Sequence, residues 1–384
     1  MTTRKASAFD GVVVVSPVIN SNGFGGAISV ATVAISTLPA MIVAYSDGPM
    51  WRGARWLPCP VHRFTSRRQL FSLLESARAD FGPRILLWSS KPLPRAYWPV
   101  RRYLAGPGAG CGHVLDLDED DGQLARDFRA TAALNRIRVH PFHQHHPRNI
   151  EGVLTDARRQ PVAISASTPG LLNRLGLGHV RDVAFLQHSR PRDLETAALS
   201  GFARVRSERI RLGFVGTVRG HKGVSSLVSL VSNCPELELH VLADEMVGEL
   251  AQIRHRLVQH PDAVSALSTV DAILLPMDQG SVAARYQVPA KLIDALMFGL
   301  PVLATPTYAI CQVAGDAIEP VNDWSAHGAI VNTIRSTMDR VEETGRRNRT
   351  IFEQRFAVSA LVPQFENFLE RLSTEALPEP NTTC

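Results

Sequence analysis

The sequence predicts an α/β protein built as two parallel-sheet domains, each sheet covered by helices on both faces. Three observations carry that expectation. The chain has 384 residues, more than one core usually holds and comfortable for two domains of about 150 to 200 residues each. Short apolar runs alternate with helical or proline-rich stretches, the pattern of buried strands joined by crossover helices. The alternation also starts twice, at Val12-Val13-Val14-Val15 and at Ile210 to Val215, each time followed by a glycine-bearing loop and a helical stretch. The expected partition is 1–200, 201–350 and a closing segment 351–384.

In the first half, the apolar run Val12 to Val15 reads as the first strand and Ala27 to Leu38 as a helix. The loop between them, Asn20-Ser-Asn-Gly-Phe-Gly-Gly26, is rich in residues that let a backbone approach a ligand, which makes Gly25 and Gly26 candidate contacts. The dinucleotide fingerprint G-x-G-x-x-G is not met. Met41 to Ala44, Ile85 to Trp88, Val114-Leu115, Val162 to Ile164 and Val183 to Leu186 continue as strands.

Leu115-Asp116-Leu117-Asp118-Glu119-Asp120-Asp121 ends one of them. A strand closing in Asp-x-Asp opens phosphatases that use the first carboxylate as nucleophile, but the expected small hydroxyl residue is missing. A solvated acidic helix cap is the plainer reading, with an acceptor-side role as the other alternative. His140, His143, His145 and His146 invite a metal, yet Pro141 and Pro147 break any helix that would align them, so a polar loop is expected and no metal is assigned. His188 directly follows a strand and precedes a Pro- and charge-rich connection, which suits the edge of an interdomain cleft.

In the second half, Ile210 to Val215 runs into Gly216-Thr217-Val-Arg219-Gly-His-Lys222-Gly223 and then a helix with Leu227, Leu230 and Val231 at helical spacing. A glycine turn bearing Thr217, Arg219 and Lys222 before a helix suits a diphosphate, through backbone N–H groups and positive charge. Leu239 to Leu242 and Ala272 to Leu275 supply further strands. Pro289 opens a helix whose Leu292, Ala295, Leu296 and Gly299 face a core, leaving Lys291 and Asp294 as neighbours toward its other side. Gly299 stops that helix, and Pro301 leads into the strand Val302 to Ala304. Trp324 to Arg347 and Val358 to Leu372 read as the last two helices.

Composition narrows the class. An apolar fraction of 45% and a charged fraction of 20% are ordinary for a globular protein. The formal charge is +5, but only four of the 41 basic residues are lysines, Lys5, Lys91, Lys222 and Lys291. No run of basic residues interleaved with aromatics stands out, so nucleic acid is not an expected partner. The scarcity makes Lys222 and Lys291, which fall in the two strongest motifs, informative, because an ammonium is not equivalent to a guanidinium fork. Five scattered cysteines indicate neither a disulfide framework nor a zinc site. The apolar core Gly11 to Val15 is too short for a signal peptide or a membrane span, so a cytoplasmic protein is expected, with peripheral contact to an anionic membrane through arginines left open.

Assembled in this order, Phe214-Val-Gly-Thr-Val-Arg-Gly-His-Lys-Gly223, Val270-Asp-Ala-Ile-Leu-Leu-Pro276 and Pro289-Ala-Lys-Leu-Ile-Asp-Ala-Leu-Met-Phe-Gly-Leu-Pro-Val302 resemble the family 4 (group 1) glycosyltransferases. The likeness covers roughly residues 205–312. It implies the GT-B architecture of two facing Rossmann-like domains, the first on the acceptor side, the second holding a nucleotide-sugar donor, and the last helix packing back on the first.

The resemblance further implies a retaining, metal-independent transferase with no cofactor beyond its donor co-substrate. Uridine diphosphate is the expected nucleotide and a glycan, lipid-linked saccharide or small metabolite the expected acceptor. Lys222 would bind the diphosphate with Gly216, Thr217 and Arg219, Asp294 the ribose, and Lys291 would assist near the phosphates. Many relatives carry glutamates eight positions apart, whereas here Tyr286 and Asp294 stand at those places, and Thr217 stands where many have arginine. An inactive nucleotide-sugar-binding protein of the same fold is therefore the alternative, with a phosphatase using Asp116 behind it.

Overall fold

The computed structural model describes residues 8–46, 48–51, 54, 56–199, 207–215, 222–242, 250–260 and 262–375. The chain divides into two compact units, the first running to Pro191 and resuming at Val358, the second spanning Arg192–Ala357. The first break thus falls at Pro191 rather than at 200, and the return comes at Val358.

Unit 1 begins with β1 (Gly11–Ser16), α1 (Phe24–Ala34), β2 (Ala40–Tyr45), β3 (Val61–Phe64) and α2 (Arg67–Phe81). It continues through β4 (Ile85–Ser90), α3 (Pro94–Leu104), β5 (Gly112–Leu117), α4 (Asp121–Thr131) and α5 (Ala133–Arg138). Then come α6 (Pro147–Arg159), β6 (Ala163–Ala166), α7 (Pro169–Arg174) and β7 (Val183–Phe185). The seven strands are parallel in the order β3-β2-β1-β4-β5-β6-β7.

Alternation along β1 builds two cores. Val12 and Val14 pack with α1, while Val13 and Val15 pack with Leu70 and Leu74 of α2 and Val100 of α3. Both faces are covered, so every residue of β1 is buried. The closing helix α16 (Val358–Glu375) belongs to this unit: Phe365 and Phe368 pack their rings 5.8 and 5.9 Å from that of the fully buried Trp88 on β4.

Unit 2 holds α8 (Arg192–Leu199), β8 (Ile210–Val215), α9 (Val224–Asn233), β9 (Leu237–Leu242), β10 (Leu257–Gln259), α10 (Ala263–Thr269) and β11 (Ala272–Leu275). These lead to α11 (Val282–Tyr286), α12 (Ala290–Met297), β12 (Val302–Ala304), α13 (Tyr308–Ala314) and β13 (Glu319–Pro320). The unit closes with α14 (His327–Asp339) and α15 (Val341–Arg355), so the expected single helix from Trp324 to Arg347 is two helices meeting at Arg340. Its sheet runs β10-β9-β8-β11-β12-β13, again all parallel.

Both orders reverse direction beside the first strand of the unit, between β1 and β4 and between β8 and β11. In open α/β sheets the crevice at such a reversal, beyond the carboxyl ends of the strands, is where ligands bind. The strand-end loops after β1, β4, β8 and β11 are therefore the places to look.

Candidate functional site

The reversal point of unit 2 is closed by one glycine. Gly223 caps α9 with φ 63°, and a Cβ there would lie 1.7 Å from the Pro276 carbonyl oxygen just beyond β11. Only glycine tolerates both the left-handed backbone and that approach. The contact sets Gly223, and Lys222 next to it in sequence, against the end of β11.

Lys291 arrives from the other direction, in the first turn of α12. Pro289 caps this helix and Gly299, at φ 62°, ends it as expected. The sequence placed Lys291 and Asp294 on the side away from the core, but every residue from Lys291 to Met297 is buried. Lys291 and Asp294, three apart and so on one face, are 5% and 9% exposed. The Lys291 Nζ stands 3.6 Å from the centroid of the buried Phe214 ring on β8, a cation–π contact inside the unit.

Burial holds the Lys291 ammonium well below its ordinary basicity, and the nearby Lys222 ammonium pushes in the same direction. Two ammonium groups and the amino ends of α9 and α12 are thus gathered at one reversal point. Helix amino ends beside lysine side chains are the usual setting for a bound anion. Tyr286 ends α11, partly exposed, with its ring 5.8 Å from that of Tyr308 on α13. Gly216, Thr217 and Arg219 lie outside the described residues.

A second polar constellation occupies the reversal point of unit 1. Gly25 and Gly26 belong to the first turn of α1 rather than to the loop before it. A Cβ on Gly26 would stand 3.4 Å from Asp118 Oδ2, 3.5 Å from Ser90 Oγ and 4.0 Å from Asp116 Oδ2. Lacking a side chain, Gly26 leaves a cavity of about 20 Å³, which Ser29, Asp116, Asp118, Gln187 and His188 also line. That is room for one water-sized group.

The acidic stretch is not a solvated cap alone. Asp120 does cap α4, accepting from the Gln123 N–H at 2.8 Å. Its neighbours, however, converge on Lys91, whose Nζ lies 2.8 Å from Asp118, 2.7 Å from Glu119 and 3.4 Å from Asp121. Lys91 is 4% exposed and holds φ 73°, a strained backbone for a non-glycine residue. Burial alone would lower its basicity, but the three carboxylates outweigh it and hold the ammonium well above its usual range. The carboxylates Asp118, Glu119 and Asp121 are also the group that could hold a metal ion among the described residues, and the Lys91 ammonium sits in their midst.

Burial, with Asp118 beside it, pushes the Asp116 carboxyl up to about 7. Burial lowers His188, which shares the cavity with Asp116 and Asp118. Sequence reasoning missed Lys91. The signal was its rarity, one of four lysines, directly after a strand.

The histidine-rich loop has structural duties. The His146 ring accepts from the Arg148 N–H at the start of α6 and meets the Arg129 guanidinium with its other nitrogen. Asn149 Nδ2 donates to the carbonyls of Pro141 and His143 at 2.8 and 2.9 Å.

No family model and no curated protein matches the chain. Solved structures do. HepE of Anabaena, in complex with UDP and glucose, superposes with a TM-score of 0.65 at 14% identity, covering 93% of this chain and 99% of that one. TarM of S. aureus, as a mutant in complex with fondaparinux, an α-GlcNAc-glycerol and UDP, gives 0.64 at 7% identity, over 94% and 99%. The catalytic domain of starch synthase IV from Arabidopsis thaliana, bound to ADP and acarbose, gives 0.59 at 11%, over 95% and 99%. These are GT-B glycosyltransferases, and the two Rossmann-like units described above have that fold. No helix among the described residues is long and apolar enough to cross a membrane.

Proposed function

We propose that the chain is a glycosyltransferase that moves a sugar from a nucleoside-diphosphate donor to a hydroxyl-bearing acceptor. The observation that carries this reading is the pair of ammonium groups, Lys222 and Lys291, drawn together at the reversal point of unit 2. As the bond between the anomeric carbon and the diphosphate oxygen breaks, negative charge grows on the leaving diphosphate. Lysine side chains held there, protonated beside the diphosphate, stabilise the transition state more than the ground state. In this reading Lys222 and Lys291 oppose that charge with Gly216, Thr217 and Arg219, and Asp294 takes the ribose. Tyr286, at the end of α11, is assigned to the donor with them.

Unit 1 takes the acceptor at the first turn of α1, near Gly25 and Gly26, with Asp116 and Asp118 as hydroxyl partners. Retention of configuration, independence from metal and a UDP donor belong to the proposal through the resemblance of the three motifs. Transfer would be assayed by incubating the purified chain with UDP-, ADP- and GDP-sugars and a panel of glycan and polyol acceptors. Acceptor-dependent release of one nucleoside diphosphate is expected. Binding without release under any acceptor would favour the inactive alternative, which the Tyr286 and Thr217 departures recommend, and neither binding nor release would remove both.

The state of Lys291 sets a pH dependence. Its ammonium is disfavoured in the free protein and favoured beside a diphosphate, so binding above the free pKa takes up a proton. Affinity for the nucleoside diphosphate should be full below that depressed pKa and decline as pH rises through it. A Lys291→Met variant should lose the decline along with most of the affinity. A profile unchanged by this substitution would contradict the role.

A further inference from the structure

We propose that the segment 126–148 of unit 1 docks on an anionic lipid surface. Among the described residues, ten large apolar side chains are more than a third exposed, and four of them fall here: Phe128 at 46%, Leu134 at 55%, Ile137 at 72% and Phe142 at 93%. The helix α5, which carries Leu134 and Ile137 one turn apart, has no buried residue. Exposed apolar side chains clustered in one short segment point to an interaction site rather than a core face.

The segment is nonetheless built. Val139, Gln144 and His146 are buried and anchor it. Asn135 Nδ2 donates to the Phe128 carbonyl and to Thr131 Oγ1, both at 3.0 Å, stitching α4 to α5. Polar ties at the base thus hold apolar tips outward.

Charge selects the occupant. Arg126, Arg129, Arg136, Arg138 and Arg148 stand against one acid, Asp127, in these residues, while the whole chain carries a net charge of only +5. Spread over the segment they form no dense basic run, which is why the sequence alone pointed to no particular surface. Apolar tips among arginines match a membrane interface, where the tips enter the headgroup boundary and the arginines meet anionic lipid. A second copy would set these arginines against one another. Leu134 and Ile137 also lack the ring faces on which nucleic-acid bases stack.

Co-sedimentation with vesicles of phosphatidylglycerol and phosphatidylcholine tests this, whether or not the chain transfers sugars. The full chain should pellet with the mixed vesicles, not with pure phosphatidylcholine, and be released at high salt. The Ile137→Ser/Phe142→Ser variant should partition at least about tenfold less, and Arg136→Glu/Arg138→Glu likewise. Binding equal to the parent in either variant would overturn the proposal, as would no binding to the mixed vesicles. So would an apolar-dependent dimer in sedimentation equilibrium, or a gel shift with RNA that the same substitutions abolish without any effect on vesicles.

Discussion

Replacing Lys222 with alanine is expected to lower kcat/KM for the nucleotide-sugar by about 10²–10³-fold, the scale of losing one fixed group that opposes developing charge. Lys222 is partly exposed at the start of α9, so the fold should survive and circular dichroism should be unchanged. The variant also carries a signature that a purely structural lysine would not give. Lys222 is the second cause of the depressed basicity of Lys291, after burial. Its removal should let Lys291 hold its proton to higher pH and displace the pH profile of nucleotide binding upward. Full activity together with an unmoved profile would remove Lys222 from the site.

Replacing Lys91 with methionine is expected to destabilise unit 1 by about 3–5 kcal/mol, the usual consequence of leaving buried charge without its partner. The ammonium meets Asp118, Glu119 and Asp121 within 3.4 Å, and no shorter apolar side chain can answer them. Strain in the Lys91 backbone, at φ 73°, would then have nothing to offset it. Urea unfolding followed through the near-UV signal of Trp88, buried in unit 1, would report the loss as a lower midpoint. A second change, Asp118→Asn on the same background, should recover part of it by removing one unpaired charge. An unchanged midpoint in the single variant would mean that the cluster is not ion-paired in solution.

The interior of both sheets was legible in the sequence, as was the edge strand β7, but the other three margins were not. The runs Val12 to Val15, Ile85 to Trp88 and Ala272 to Leu275 lie in β1, β4 and β11, which are buried on both faces and so read as unbroken apolar stretches. The strands that went unseen, β3, β10 and β13, are all edge strands. Val61-His-Arg-Phe64, Leu257-Val-Gln259 and Glu319-Pro320 are short and partly polar, as strands with one unpaired side often are.

The site divides in the same way. The stop at Gly299 followed from backbone chemistry, and the weight given to Lys222 and Lys291 from their rarity. The burial of Lys291 and Asp294 did not, because periodicity assigns one apolar face to a helix, whereas α12 is packed on every side. Nor did the Lys91 cluster, whose members stand 27 to 30 residues apart and meet only when β4 and β5 pair in parallel.

The central claim is that the reversal point of unit 2 is a diphosphate site, and calorimetric titration of the full chain with UDP, ADP and GDP tests it most directly. One of them should bind at one equivalent per chain, and the Lys222→Ala/Lys291→Met double variant should bind it at least about tenfold more weakly, a difference of about 1.4 kcal/mol. Failure of all three nucleotides to bind, or equal affinity in the double variant, would contradict the account.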